Sequence, residues 1–264
     1  MAIISPLPPS PLPTHTPVRA AAAPAAAAIP QYSLRKILGV WASAMVPMGL
    51  LAWVVAPWLA GQLSGPSPLT RSLIICLTAG MVWQFALVLI MLRPERRSPD
   101  WPGYRKALWL NGPPRKRLWL LVPVLAVALG IEEFVPQIHH AATRELSSFF
   151  DSHAGQVFMS GSWGWLAILT TMFVFNTVLG EELLFRGLLL PRMNGVFGRK
   201  DWLANGALFA LYHVHVPWAI PATLVDAFVV AYPAKRFRSA LFSIAVHSVQ
   251  SVFFFVFALS LVLG

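Results

Sequence analysis

The chain has one cysteine, few acids and little charge of either sign. A lone thiol, Cys76, set in an apolar run, excludes an intramolecular disulfide framework and any cysteine-built zinc cluster. Asp, Glu, Lys and Arg make up only 11% of the 264 residues, whereas apolar residues reach 57% and the mean hydropathy is +0.65. An ordinary soluble domain is roughly 25% charged. A water-soluble globule of this size cannot hide so much apolar surface, which makes the bilayer its expected solvent. The charge that remains is lopsided, with 20 Lys+Arg against 10 Asp+Glu. That balance fits either a nucleic-acid-binding face or the ends of membrane spans.

Placement along the chain separates the two. Residues 1–34 form a Pro/Ala-rich tail expected to be disordered, without the basic start and short apolar core of a signal peptide. From Ile37 onward, apolar runs of roughly 20 residues, the length that crosses a bilayer, alternate with polar links. They fall at 37–62, 70–92, 118–137, 161–191, 201–217, 219–233 and 240–263, the sixth being short, bracketed by Pro217, Pro221 and Pro233, and so tilted, broken or re-entrant. Every second link is basic. Arg35 and Lys36 precede the first span, eight Lys/Arg fill the link after the second, Arg192, Arg199 and Lys200 follow the fourth, and Lys235, Arg236 and Arg238 follow the sixth. By the positive-inside rule these links are cytoplasmic, as is the N terminus. The expected fold is all-α, a polytopic transmembrane helical bundle of about seven spans, six to eight being compatible. N-terminal transmembrane helices occupy 35–160 and a functional core 161–264. The positive charge is then topology plus attraction to anionic lipid, and no nucleic-acid partner is expected. Trp101, Trp109, Trp119, Trp163 and Trp165 suit interfacial belts.

An ionisable group inside a bilayer costs at least a few kcal/mol and needs a partner or a purpose. The dense set lies in the C-terminal half: Glu181, Glu182 and Arg186 in the fourth span, His213 and His215 in the fifth, Asp226 in the sixth, and His247 with Ser251 in the seventh. At about 1.5 Å per residue, Glu181, His213 and His247 sit about 16, 18 and 13 Å from the basic ends of their helices. Three helices thus deliver a carboxylate and two imidazoles to one layer. Glu182 and Arg186, four apart in the favourable order, are expected to pair and neutralise each other, which leaves Glu181 for another partner. A carboxylate beside imidazoles in a partly dry cavity can serve as a general base. His247 and Ser251, also four apart, present two hydrogen-bonding groups side by side, as an oxyanion stabiliser requires. His215, two residues from His213, reads as a packed residue on the far side of the helix. Asp226 is open to three roles: an acid on a substrate or proton path, a partner of Arg186, or a group at a water-filled break. Glu132 and Glu133, near His139 and His140, read as a solvated helix end.

The fourth span contains Gly180-Glu181-Glu182-Leu183-Leu184-Phe185-Arg186-Gly187, an EExxxR motif; the fifth contains Phe209-Ala210-Leu211-Tyr212-His213, an FxxxH motif; the seventh supplies His247. In order, spacing and depth this resembles the CPBP family of intramembrane proteases, also called the CAAX prenyl protease type II or Abi family, over roughly residues 161 to 264. The resemblance implies that Glu181 activates the hydrolytic water, that His213 assists it, and that His247 helps to hold the oxyanion. Glu182, Arg186 and Phe209 would support them. The family places an Asn four residues after the third histidine, where this chain has Ser251, a shorter donor. Gln250, Asn176 or water could complete the hole.

The resemblance implies a glutamic-type intramembrane endopeptidase that needs no cofactor beyond the catalytic water and acts on a membrane-embedded or lipidated peptide or protein. Two other readings stay open. One is a catalytically reduced relative that binds rather than cuts, as in immunity to a peptide toxin or membrane scaffolding. The other is a metalloprotease with zinc on Glu181, His213 and His247, although no HExxH segment is present. A transporter fits least, because no internal repeat is evident and the polar groups form a cluster rather than a path. Compact links and the lack of extramembrane domains suggest a bacterial plasma membrane.

Overall fold

The computed structural model describes residues 29–95, 101–112, 115–130 and 144–264. That structure is 86% helical with no strand. In lipid this follows from backbone chemistry, because a helix satisfies its N–H and C=O groups within the segment. Seven principal helices follow one another: α1 (Leu34–Ala60), α2 (Pro68–Glu95), α3 (Leu121–Gly130), α4 (Trp163–Arg192), α5 (Asp201–Tyr212), α6 (Ile220–Phe237) and α7 (Ala240–Leu263). Short helices at Trp101–Ala107, Leu146–Asp151, His153–Met159 and Asn194–Phe197 fill the links. Among the described residues four helices, α1, α2, α4 and α7, are long and apolar enough to cross a membrane.

Local chemistry sets the helix ends. The Ser33 side chain accepts a hydrogen bond from the Lys36 N–H at the start of α1, and Ser239 does the same for Phe242 at the start of α7, each satisfying a donor the helix itself cannot. The α2 helix opens on Pro68 and α6 has Pro221 in its first turn, where a missing N–H costs nothing. The sixth span is therefore one helix of 18 residues rather than a broken one, with Pro233 inside it and Arg238 in the left-handed conformation at its end.

The fifth segment is shorter than its apolar run suggests. It ends at Tyr212 instead of continuing to Pro217, because the residue before a proline is pushed out of the α region and Val216 takes φ −136°. Residues 213–216 then form a turn closed by the Val216 N–H on the His213 carbonyl at 2.9 Å. Twelve helical residues span about 18 Å, less than the roughly 30 Å of hydrocarbon. The α5 and α6 helices pack as a pair, and buried Asp201 at the start of α5 is ion-paired with Lys235 near the end of α6.

The main core lies where α1, α2, α4 and α5 meet, built from Ile37, Met48, Met81, Val88, Leu184, Phe185, Phe209 and Tyr212 among others. A second cluster joins α2, α4 and α7 to the two short helices at 146–159 through Ile74, Phe150, Met159, Leu169 and Ala258. On α7, Val252, Phe253 and Val256 point outward and are more than half exposed, as lipid-facing side chains should be. Arg192 departs from its expected place in a solvated basic link. It is fully buried, with Nε 3.1 Å from each Glu95 oxygen and Nη1 on the carbonyls of Ala107 and Leu188. The Tyr32 hydroxyl donates to the same carboxylate at 2.6 Å, which ties the segment before α1 to the ends of α2 and α4.

Candidate active site

The α4 helix is not regular where it carries the carboxylates. Phe175–Gly180 and Leu183–Leu189 are π-helical, and Glu181 and Glu182 form the short α junction between them. Such i→i+5 segments are rare and recur at functional sites. Gly180 makes the adjacent packing possible. A Cβ there would stand 2.4 Å from the Phe175 carbonyl oxygen and 3.1 Å from that of Met81 in α2. Only a glycine lets the two backbones approach so closely just before Glu181.

The Glu181 side chain is 2% exposed. The Asn176 amide, oriented with its nitrogen toward the carboxylate, donates to both Glu181 oxygens at 3.0 Å. The Tyr212 hydroxyl, on the neighbouring α5, donates to Met81 Sδ of α2 at 3.9 Å. That hydroxyl in turn accepts from Gln84 Nε2 of α2 at 2.7 Å. Glu181 is thus met by a neutral amide from its own helix.

Glu182, 1% exposed, keeps different company. Its Oε1 is 3.1 Å from His247 Nδ1 and 3.6 Å from Arg186 Nη1. The expected Glu182–Arg186 pair therefore exists as an ion pair without a hydrogen bond. The π geometry is the reason: each i→i+5 turn holds more residues, so a step of four falls short of one turn. The buried guanidinium lies instead over the Phe209 ring, 4.0 Å from its centroid. Phe209 also meets Phe185, His213 and His247 edge-on, at centroid distances of 5.0, 4.8 and 6.3 Å. The phenylalanine of FxxxH is the piece on which the other motifs assemble.

His213 is the first residue beyond α5, and its Nδ1 is 2.9 Å from the Phe209 carbonyl oxygen. A carbonyl only accepts, so Nδ1 holds the proton and Nε2 presents a lone pair. His215 is not on the far side. Because α5 has ended, its ring stacks on His213 at 5.3 Å and also packs against Tyr212. The turn that bears both histidines is held from α1, where Trp53 Nε1 donates to the Val214 carbonyl at 2.8 Å. Ser251, one turn beyond His247 on α7, is half-buried.

The structure brings Glu181, Glu182, Arg186, Phe209, His213 and His247 into one connected cluster. The side chain of Asp226, and all of Glu132, Glu133, His139 and His140, lie outside the described residues. Among the described residues no three His, Cys, Asp or Glu side chains are arranged to hold a metal ion. An open groove of about 680 Å³, lined by Ser64, Arg71, His153 and Trp165, shares no residue with the cluster. Sequence reasoning missed Gln84 and Tyr212, and it assigned Asn176 to the oxyanion side rather than to Glu181. Gln84, an amide inside an apolar run, carried a signal. Tyr212 carried only its place beside His213.

No curated protein and no solved structure matches the chain. Residues 162–263 match the family described as type II CAAX prenyl endopeptidase Rce1-like. The match begins at the start of α4 and ends with α7, and so takes in Asn176, both carboxylates, Arg186, Phe209 and both site histidines, but not Gln84 or Trp53. Over its last four principal helices the chain is thus similar to the CAAX-type intramembrane proteases, and its long apolar helices make it an integral membrane protein of α-helical build.

Proposed function

We propose that the chain is an intramembrane endopeptidase in which Glu181 activates the attacking water, with no metal or organic cofactor, on a membrane-embedded or lipidated peptide. One observation supports this most directly: two adjacent buried carboxylates have opposite company. Glu182 makes the direct contacts to the cationic side, Arg186 and His247, while the hydrogen bonds of Glu181 come from the neutral Asn176 amide. A carboxylate already paired with a guanidinium is a poor base, whereas one fixed by an amide retains basicity and a defined direction.

In the proposed reaction Glu181 takes a proton from water, and the resulting hydroxide bonds to the peptide carbonyl carbon. The carbonyl π electrons move to oxygen, giving a tetrahedral oxyanion. His213 Nε2 accepts from the same water and orients it. His247 Nε2 donates to the oxyanion, while Nδ1 stays on Glu182, which supplies the counter-charge for an imidazolium; Ser251 adds a second donor. Collapse breaks the C–N bond, and Glu181 returns its proton to the leaving amine. The alternative zinc site needs Glu181, His213 and His247 to converge, and among the described residues no three such side chains are grouped to hold a metal ion. The proposed setting is a bacterial plasma membrane.

Comparison of membrane peptides from cells carrying the wild type and Glu181→Gln tests the reading. Products that vanish with the carboxylate, at equal protein level, are the expected result. An unchanged set of products overturns it.

A further inference from the structure

Arg71 stands at the end of the bundle where cations are scarce. Apart from the N-terminal tail and Arg186, every other Lys and Arg except Arg144 falls in the basic links. Arg144 is already engaged, with its guanidinium 4.2 Å from the centroid of the Trp53 ring and Nη1 on the Ala52 carbonyl at 3.4 Å. Arg71, in the first turn of α2, has less. Among the described residues its Nη1 donates to the Ser64 carbonyl at 2.7 Å, and no carboxylate pairs with it. A guanidinium carries five N–H donors, so this bond fixes the fork and leaves most of it to offer.

Arg71 lines the open groove of about 680 Å³ that shares no residue with the candidate active site. The groove takes in the loop after α1, the residues that open α2 and α4, and the short helix His153–Met159. Beside it the Gly161 N–H donates to the Val262 carbonyl at the end of α7, at 3.1 Å. All of these lie away from the basic links. From Leu73 onward α2 is apolar, so Arg71 sits at the boundary between hydrocarbon and headgroups, and Trp163 and Trp165 mark the same level on α4. Glu181 lies on the order of 25 Å further along that helix.

The lining selects for chemistry. Arg71 and His153 supply the polar end, with no carboxylate among the described lining residues. Ser67 and Ser162, which precede α2 and α4, also line the groove, and neither side chain caps its helix. The positive ends of two helix dipoles therefore add to the guanidinium. The rest of the wall is apolar, formed by Phe158, Trp165 and Val157, the last 64% exposed. A phosphodiester suits an arginine fork, and an ester-linked chain suits that wall. An ammonium headgroup finds no carboxylate here, and the Trp165 face that could hold one has Arg71 over it, 6.0 Å from the centroid.

We infer that this groove binds an anionic phospholipid of the phosphatidylglycerol class, drawn from the leaflet opposite the basic links. Its phosphodiester sits on Arg71, its uncharged glycerol headgroup on the Ser64–Ser67 loop, and the start of its acyl chains on Val157 and Trp165. The inference stands apart from the protease reading. Bound lipid bridges the α1–α2 loop to the short helix and to the start of α4, so it stabilises that end of the bundle by mass action.

The test uses delipidated full-length protein in dodecylmaltoside, titrated with dioleoylphosphatidylglycerol, dioleoylphosphatidylcholine or inorganic phosphate and followed by thermal midpoint and native mass spectrometry. Phosphatidylglycerol should raise the midpoint by several degrees with one lipid retained, whereas phosphatidylcholine and phosphate should move it by less than about one degree. Arg71→Gln can keep the bond to Ser64 through its amide, yet should need about tenfold or more phosphatidylglycerol for the same shift. Val157→Glu sets a carboxylate on an exposed wall without touching the core, should weaken the lipid similarly, and decides the matter if Arg71→Gln folds poorly. Arg199→Gln removes one exposed charge from a basic link and should titrate like the wild type. Phosphatidylcholine as effective as phosphatidylglycerol overturns the proposal, as does wild-type titration by a folded groove variant. A shift reproduced by phosphate alone would make this an inorganic-anion site, and a shift that accompanies dimers without bound lipid would give the groove to a second copy of the chain; either result overturns the lipid.

Discussion

The Arg186 guanidinium lies over the face of Phe209, 4.0 Å from its centroid, and this contact joins the EExxxR helix to the FxxxH helix. Both residues are buried, at 1% and 4% exposure. A cation on an aromatic face away from water is worth about 2 kcal/mol, and a planar guanidinium stacks where an ammonium cannot. Arg186→Lys keeps the charge near Glu182 yet loses the stack. It should lower the thermal midpoint of the detergent-solubilised protein by several degrees and reduce turnover. Phe209→Leu should reproduce the loss, and the two substitutions together should cost less than their sum. Wild-type stability in Arg186→Lys would show that the ion pair, not the ring, holds the guanidinium.

The adjacent carboxylates should fail in different ways. Glu181→Gln removes the proposed base but leaves Asn176 with an amide oxygen to bond, so the protein should fold with wild-type stability and lack activity. Glu182→Gln strips the counter-charge from buried Arg186 and from His247. Breaking a buried pair on one side costs about 3–5 kcal/mol, so this variant should be poorly expressed or melt far below wild type. Thermal unfolding of the two variants side by side checks the assignment. Equal destabilisation would show that the two carboxylates share one structural role.

Activity should survive chelation. A zinc site would need Glu181, His213 and His247 to converge, and among the described residues no three His, Cys, Asp or Glu side chains are arranged to hold a metal ion. Prolonged treatment with EDTA or phenanthroline, followed by a cleavage assay and elemental measurement of bound metal, should change the rate less than twofold. Activity lost on chelation and restored by zinc would identify a metalloprotease.

Ser251→Asn should preserve or raise activity. The side chain lies one turn beyond His247 on α7 and is half-buried, so a longer amide has room to extend toward the proposed oxyanion position. A single neutral donor in such a hole is worth about 2.7–4 kcal/mol when it is well placed. A well-folded but inactive Ser251→Asn would place the oxyanion elsewhere.

Much of this was legible in the sequence, for a physical reason. In a bilayer every polar residue needs an explanation, so Glu181, Glu182, Arg186, His213 and His247 stand out against 11% charge. Helix positions followed from apolar length, because that length is set by the membrane. The Glu182–Arg186 ion pair was legible in the i, i+4 spacing, but not the seat of the guanidinium over Phe209. The place of His215 was not legible, because α5 ends early at Tyr212 and so brings His215 onto His213. Gln84 and Tyr212 were overlooked because neither is charged at neutral pH. The burial of Arg192 is not legible locally, because its partner, Glu95, is distant in sequence.

Gly180 tests how much the π distortion matters. An added methyl would meet two backbone oxygens, Phe175 at 2.4 Å within α4 and Met81 at 3.1 Å on α2. Backbone atoms cannot rotate away as side chains can, so Gly180→Ala must either straighten the π turn or push α2 and α4 apart. Either shift moves Glu181, the next residue. Overpacking of this kind costs typically 1–3 kcal/mol. Gly180→Ala should therefore be destabilised by that amount in thermal unfolding and lose activity out of proportion, with the infrared carboxylate band of Glu181 displaced. Gly39 offers the control, because nothing lies within 4 Å of a Cβ at that position in α1. Gly39→Ala should leave stability, the carboxylate band and cleavage as they are. If Gly180→Ala behaved like Gly39→Ala, the close approach of α2 to α4 would have no part in holding the carboxylate.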